Sequence, residues 1–211
     1  MKPYYSHAGI TIYHGDCREI LPQLEAGLIV TDPPYGVGKD YGEGSIDNLE
    51  TFKAAITMIA ASGLQAAVII SASRIFDVPV RPQWTGVWNK PYSASGLLSY
   101  PIYPHWDAIL FYALKGNFLG NNGHRSDVFE FSPTRPDEGH PTPKPTDLMQ
   151  ELIHFLPARG VVLDPFAGSG STLIAAKLLN RNAIGIEIEE KYCEIAAKRL
   201  SQEVLCFTES V

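Results

Sequence analysis

Cysteine is scarce in this chain, with three thiols at positions 17, 193 and 206 and no CxxC spacing among them. An odd, scattered set supports neither a disulfide framework nor a zinc site, so all three read as reduced. Long apolar runs are lacking too. Ala66 to Ile70 is typical of the longest, far short of the ~20 residues a membrane helix needs. Met1 to Ile10 does not read as a signal peptide, and the chain is expected to be cytoplasmic with no membrane partner. Histidines 105, 124, 140 and 154 show no metal-ligand spacing, so no metal is expected. No repeat or low-complexity tract occurs, which sets aside solenoids and propellers.

Positive charge is also short, with 17 basic against 23 acidic residues. A net charge of −6 gives no global attraction to a polyanion. Its distribution is uneven, since residues 74–125 hold five basic side chains against two acidic ones. Arg74, Arg81, Lys90, Lys115 and Arg125 lie there among Trp84, Trp88, Tyr92, Tyr100, Tyr103 and Trp106. Such a stretch could meet phosphates and bases. The competing reading is a solvated face over ordinary core aromatics, and Trp84 and Trp88 are read as core rings.

What is present is enough for a core. A hydrophobic share of 45% in 211 residues suits one domain, taken here as 1–211. Short, nearly continuous apolar runs at Leu28–Thr31, Ala66–Ser71, Ala108–Leu114, Val161–Leu163 and Ala183–Ile188 have the pattern of strands buried on both faces. Helical periods lie between them: Phe52, Ile56 and Ile59; Leu148, Leu152 and Phe155, opened by Thr146 as N-cap and stopped by Pro157; Leu173, Ala176 and Leu179; Tyr192, Ile195, Ala196 and Leu200. The alternation predicts an α/β sandwich with ligands at the carboxyl ends of the strands. Gly36–Ile46 and Gly116–Pro145 read as long loops, where substrate contact is expected.

Two motifs carry chemistry. In the first, the strand Val161-Val-Leu-Asp164 runs through Pro165-Phe166-Ala167-Gly168-Ser169-Gly170 into a helix opened by Ser171 and Thr172. Glycines 168 and 170 would let a ligand approach the backbone, and amides at the helix start favour a carboxylate or phosphate. Glu187 ends the next strand, where an acid can accept hydrogen bonds from two ribose hydroxyls. The third glycine of a dinucleotide fingerprint is missing, which disfavours a nicotinamide dehydrogenase. A mononucleoside with a carboxylate tail fits better.

In the second motif, the strand Leu28–Thr31 ends in Asp32-Pro33-Pro34-Tyr35. Two prolines fix φ, remove two donors and leave rigid carbonyl acceptors. Asp32 and the Pro33 carbonyl could each accept one hydrogen of an amino group while a planar base stacks on Tyr35. An exocyclic amine on adenine or cytosine is a poor nucleophile because its lone pair is conjugated with the ring. Two acceptors pulling on its hydrogens free that lone pair and stabilise the positive charge that grows as nitrogen takes a methyl group.

Asp32 to Tyr35 together with Asp164 to Gly170 resembles the amino-directed DNA methyltransferases that use S-adenosylmethionine. The catalytic motif precedes the cofactor motif, an order similar to the β group, a circular permutation of the family fold. Tyr13 to Cys17, His140 to Pro145 and Gly185 to Glu187 match as well. The resemblance implies a Rossmann-like, seven-stranded, mostly parallel sheet with one antiparallel strand and helices on both faces. It implies that Asp164, Phe166, Gly168, Ser169, Gly170, Ser171 and Thr172 line the cofactor and that Glu187 holds its ribose. Asp16 and the Cys17 backbone would meet its adenine, Thr142 and Lys144 its methionine carboxylate. Asp32, Pro33, Pro34 and Tyr35 would hold the flipped base, with Asp32 also beside the cofactor. The implied activity is site-specific methylation of adenine N6 in DNA, because Asp rather than Ser opens the catalytic motif. Cytosine N4 and a non-catalytic binding regulator are the alternatives. Larger relatives carry a target-recognition region, for which only residues 116–139 and the loop after Tyr35 are free here. A homodimer pooling two basic stretches, or a partner protein, would compensate.

Overall fold

The computed structural model describes residues 1–35, 48–91, 105–115, 126–134 and 143–202. In chain order the elements are β1 (Tyr5–His7), β2 (Ile10–His14), α1 (Cys17–Ile20), β3 (Leu28–Thr31), α2 (Leu49–Ala61), β4 (Gln65–Ser71), β5 (Trp84–Asn89), β6 (Trp106–Tyr112), β7 (Val128–Glu130), α3 (Thr146–Phe155), β8 (Val162–Asp164), α4 (Ser171–Leu178), β9 (Ala183–Glu187) and α5 (Glu190–Ser201). Turns of 3-10 helix occupy Leu21–Gln23 and Ala72–Asp77. The strands form one sheet in the order β1-β2-β9-β8-β3-β4-β6-β5-β7.

Burial on both faces explains the apolar runs. Leu28 and Val30 of β3 point into one layer with Leu148, Leu152, Leu173 and Ala196 of α3, α4 and α5. Ile29, between them, points into the opposite layer with Phe52, Ile56 and Ile59 of α2 and Ile20 of α1. The alternation repeats in β4, where Ala67 and Ile69 face the first layer and Ala66, Val68 and Ile70 the second. Each fully buried Ile, Leu or Phe contributes about 1.5–3 kcal/mol by leaving water. Gly185 of β9 is small of necessity: a Cβ there would lie 2.7 Å from Leu173 Cδ1 and lift α4 off the sheet.

The sheet has nine strands among the described residues, not seven. The seven-strand order survives from β2 to β5, with β6 antiparallel to both neighbours. The additions are three-residue edge strands: β1, antiparallel to β2, and β7, parallel to β5. Short edge strands carry no alternating apolar signature, and β7 lies inside the stretch read from sequence as loop. Thr146 is not the N-cap of α3 either. It is the first helical residue, and Pro145 precedes it at φ −58° with no side-chain cap, its ring fixing the φ at which the chain enters the helix. Gly36–Ile46 and most of 116–139 lie outside the described residues.

The basic stretch divides. Lys90 is consumed in a largely buried ion pair with Asp107 at 3.1 Å, and Arg74 pairs with Asp77. Trp88 is in the core and donates to the Phe131 carbonyl, whereas Trp84 is 57% exposed and donates to Asp127. Arg125, Tyr92, Tyr100 and Tyr103 lie outside the described residues. Strands β2, β9, β8, β3 and β4 all run parallel, so both motifs leave the sheet at one carboxyl edge.

Candidate active site

Strand β8 ends at Asp164, which is only 3% exposed. Its Oδ1 accepts from Thr31 Oγ1 at 2.6 Å and from the Phe166 amide at 3.1 Å. Burial pushes its carboxyl up to about 6, against the opposing pull of the Thr172 and Thr31 hydroxyls and the Phe166 amide. Thr31 closes the strand that leads to Asp32, so Asp164 ties the cofactor strand to the catalytic strand.

Beyond Asp164 the chain turns through Gly168 at φ +50° and Gly170 at φ +84°. The turn is clamped from below, since the Ala167 amide donates to the Ile186 carbonyl at 2.9 Å. It is clamped from the side by Arg199 of α5, whose guanidinium donates to Ser169 O at 2.7 Å and Oγ at 3.0 Å. Glu187, 9% exposed, accepts from the Gly168 amide at 2.7 Å and the Glu189 amide at 2.9 Å. Its carboxyl is raised by burial and partly restored by those amides. Each oxygen keeps a second lone pair for a ligand hydroxyl.

Gly170 has a part in the packing of the fold. It caps α4, and a Cβ on it would lie 3.0 Å from Ala196 Cβ of α5. Its smallness serves helix packing and a left-handed backbone. Gly15 amide donates to the Glu187 carbonyl at 2.9 Å, which brings Asp16 and Cys17 beside the turn. Asp16 caps α1, and the Arg18 guanidinium holds its carboxyl below the usual range. The Cys17 and Cys193 thiols are both buried, and burial pushes each up to about 12, so neither supplies a nucleophile.

The second motif is assembled from farther away. The Tyr35 hydroxyl donates to Asp32 Oδ1, and Lys144 donates to Asp32 Oδ2 in an ion pair with little exposure. Lys144 Nζ also stands 5.5 Å from the Tyr35 ring centroid. Arg74, from the turn after β4, donates from Nε to the Tyr35 carbonyl at 2.8 Å. Lys144 therefore belongs, by its contacts, to the Asp32–Tyr35 corner. Thr142 lies outside the described residues.

Both motifs line one cavity of about 270 Å³. Asp16, Cys17, Asp32 to Tyr35, Lys144, Asp164, Phe166, Gly168, Ser169, Ser171, Thr172 and Glu187 all reach it. A wall that the sequence did not suggest comes from α2, through Thr51, Ala54, Ala55 and Met58. The hydroxyl of Ser171, buried on this cavity, has no hydrogen-bond partner. A buried hydroxyl without a partner, at the start of α4, suits a polar ligand group that completes it. Among the described residues no group of three or more His, Cys, Asp or Glu is placed to hold a metal, and no helix is long and apolar enough to cross a membrane.

Comparison with known proteins agrees with this arrangement. A family described as DNA methylase matches residues 87–198. Type II methyltransferase M.ScaI of Streptomyces caespitosus is 29% identical over 96% of this chain and 84% of its own length. Type II methyltransferase M.HpaI of Haemophilus parainfluenzae is 30% identical over 87% of this chain and 70% of its own. Among solved structures, the M1.HpyAVI–SAM complex superimposes with a TM-score of 0.67 at 26% identity, covering 92% of this chain and all of that one. PvuII DNA methyltransferase, described as cytosine-N4-specific, reaches a TM-score of 0.72 over 96% of this chain and 90% of its own, at 16% identity that speaks for the fold alone.

Proposed function

The chain belongs to the DNA methylase family, and on that premise we propose that it moves a methyl group to the exocyclic N6 of adenine in DNA. It is a DNA amino methyltransferase with S-adenosylmethionine as cofactor. The observation that carries the methyl-transfer reading is the shared cavity, in which the Asp32 corner and the Glu187 cradle face one space; what supports adenine over cytosine is Asp rather than Ser at position 32.

The residues fit that cofactor. Glu187 would accept from the ribose hydroxyls, Ser171 would complete its hydroxyl, and the amides around Gly168 and the start of α4 would face the amino-acid end. Asp16, Cys17 and Phe166 would flank the adenine, and Lys144 would neutralise the methionine carboxylate. Bound there, S-adenosylmethionine supplies an electrophilic methyl on a sulfonium.

The chain does the rest. Asp32 and the Pro33 carbonyl accept the two amino hydrogens of the target base, which withdraws the nitrogen lone pair from conjugation. The fixed charge of Asp32 then stabilises the cation forming on that nitrogen, without reorganisation at the moment of transfer. Tyr35 offers its ring to the base, and its hydroxyl keeps Asp32 turned inward. Asp32 Oδ2 accepts from Lys144, so a base can use it only as Lys144 shares or leaves it. Alignment of the reacting atoms supplies a further several kcal/mol, up to about 7–11 in favourable intramolecular cases. A single domain over 1–211, with residues 116–139 as a reduced target-reading loop, and a homodimer on DNA in the cytoplasm complete the reading.

The test is transfer of labelled methyl from S-adenosylmethionine to unmethylated genomic DNA at low salt, with nucleoside analysis of the product. N6-methyladenine that vanishes in Asp32→Ala is the expected result. N4-methylcytosine would overturn the choice of base. Cofactor binding without product would turn the reading to a non-catalytic regulator.

A further inference from the structure

Arg74 stands outside both motifs and outside the wall of the cavity, yet it touches the catalytic corner. It lies in the turn Ala72–Asp77 after β4, and β4 runs parallel beside β3, so the turn and the corner leave the sheet at one edge. Its guanidinium makes two contacts of different kinds. Nε donates to the Tyr35 carbonyl at 2.8 Å, and Nη1 donates to Asp77 Oδ2 at 3.1 Å. Both donors lie in one rigid plane, so Asp77 fixes the guanidinium and the guanidinium fixes the carbonyl. The neighbouring Ile75 packs with Tyr35 against the same apolar layer.

Tyr35 is where the corner needs such a hold. Pro33 and Pro34 fix their own φ, but the tyrosine they lead to belongs to neither strand nor helix. Its side chain has two tasks, since its hydroxyl donates to Asp32 and its ring is offered to the target base. Rotation of the Tyr35 backbone would disturb both together, and a misplacement of about 1 Å can cost about 10²-fold in rate. We infer that Arg74, seated by Asp77, is a positioning residue for the target base: through the Tyr35 carbonyl it sets the ring on which the base rests and the hydroxyl that holds Asp32. The inference rests on methyl transfer to a base in DNA and adds a residue to that reading. A phosphate contact, the ordinary use of an arginine in a basic stretch, predicts different behaviour.

The two roles separate on shape against charge. Arg74→Lys keeps the cation but not the fork, and Arg74→Met keeps neither. Positioning predicts that both lower kcat on saturating genomic DNA by about tenfold or more. The salt dependence of DNA binding should stay that of the parent. The Kd for S-adenosylmethionine should stay within about twofold, which also reports a folded chain. Asp77→Ala should fall in the same direction, by about threefold, and should add nothing to Arg74→Met. In a Tyr35→Ala background, Arg74→Met should cost less than about twofold, because the side chain through which it acts is gone. A full tenfold loss there would make the contact merely structural and overturn the inference. Parental kcat in both Arg74 variants also overturns it, as does a parental Arg74→Lys beside an Arg74→Met with a shallower salt slope, the mark of a phosphate contact. The methyltransferase reading survives each of those results. If Tyr35→Ala transfers no methyl, the lysine and salt comparison decides by itself. If the parent chain transfers none, that reading fails and the inference falls with it.

Discussion

The cofactor cradle and the catalytic corner face the same cavity but are built on different plans. The cradle is local and anchored by backbone: Glu187 is held by the amides of Gly168 and Glu189, and the turn is pinned to β9 and α5. The corner is held by long side chains: Tyr35 from within it, and Lys144 and Arg74 from distant segments, converging on Asp32 and Tyr35. Backbone amides on a packed strand–turn–helix keep one position, whereas lysine and arginine ends can exchange partners. The cradle is thus fixed by backbone, and the corner by side-chain ends that can exchange partners.

Substitutions separate the two plans. Asp32→Ala should give the largest effect, a loss of transfer of about 10³-fold or more, with cofactor affinity little changed. Calorimetric titration beside the methyl-transfer assay reads both, and a large loss of affinity would merge the corner with the cradle. Glu187→Ala should raise the cofactor Kd by about 10–100-fold, because two backbone amides and the ribose lose their acceptor together. Its kcat at saturating cofactor should stay near that of the parent. Lys144→Met tests the residue that holds Asp32 and is proposed to meet the cofactor carboxylate. Loss of a cation from a carboxylate should weaken cofactor binding about tenfold; a fall in kcat alone would place Lys144 with the corner only.

Asp164→Asn should be gentlest and of opposite sign in stability. The Asp164 carboxyl titrates at about 6 in the fold against an ordinary 3.8. Between those values the folded chain binds more protons than the unfolded one, so stability falls as pH rises through that window and the full penalty stands above it. The hydrogen bonds from Thr31 and from the Phe166 amide fall on Oδ1 and survive in asparagine. The variant should gain up to about 2 kcal/mol above neutral pH, a few degrees in Tm. Thermal melts should show that gain shrinking toward pH 4. A gain independent of pH would mean that the charge of Asp164 is not what burial opposes.

The cradle was legible in the sequence because its parts are contiguous. An apolar run, a glycine turn, a helix and an acid ending the next strand follow one another from Val161 to Glu187. The corner was legible only as Asp32 to Tyr35. Arg74 gave no signal, since a lone arginine in a basic stretch looks like a phosphate contact, and it folds back on a carbonyl instead. The α2 wall was hidden for the same reason: Thr51, Ala54, Ala55 and Met58 read as one helix among others until packing turned them to the cavity. The packing part of Gly170 was hidden too, because spacing does not show that Ala196 of α5 lies against it.

Local pattern by itself determined the α/β class, the strands buried on both faces and the two motifs, since period and turn chemistry act over a few residues. The tertiary structure alone decided the sheet order and its two added edge strands. It decided that Asp164 joins β8 to Thr31 and that Lys144 sits on Asp32. Those contacts join residues more than a hundred positions apart, and no period or spacing encodes them. They exist because parallel strands, buried on both faces, must bring their carboxyl ends to one edge.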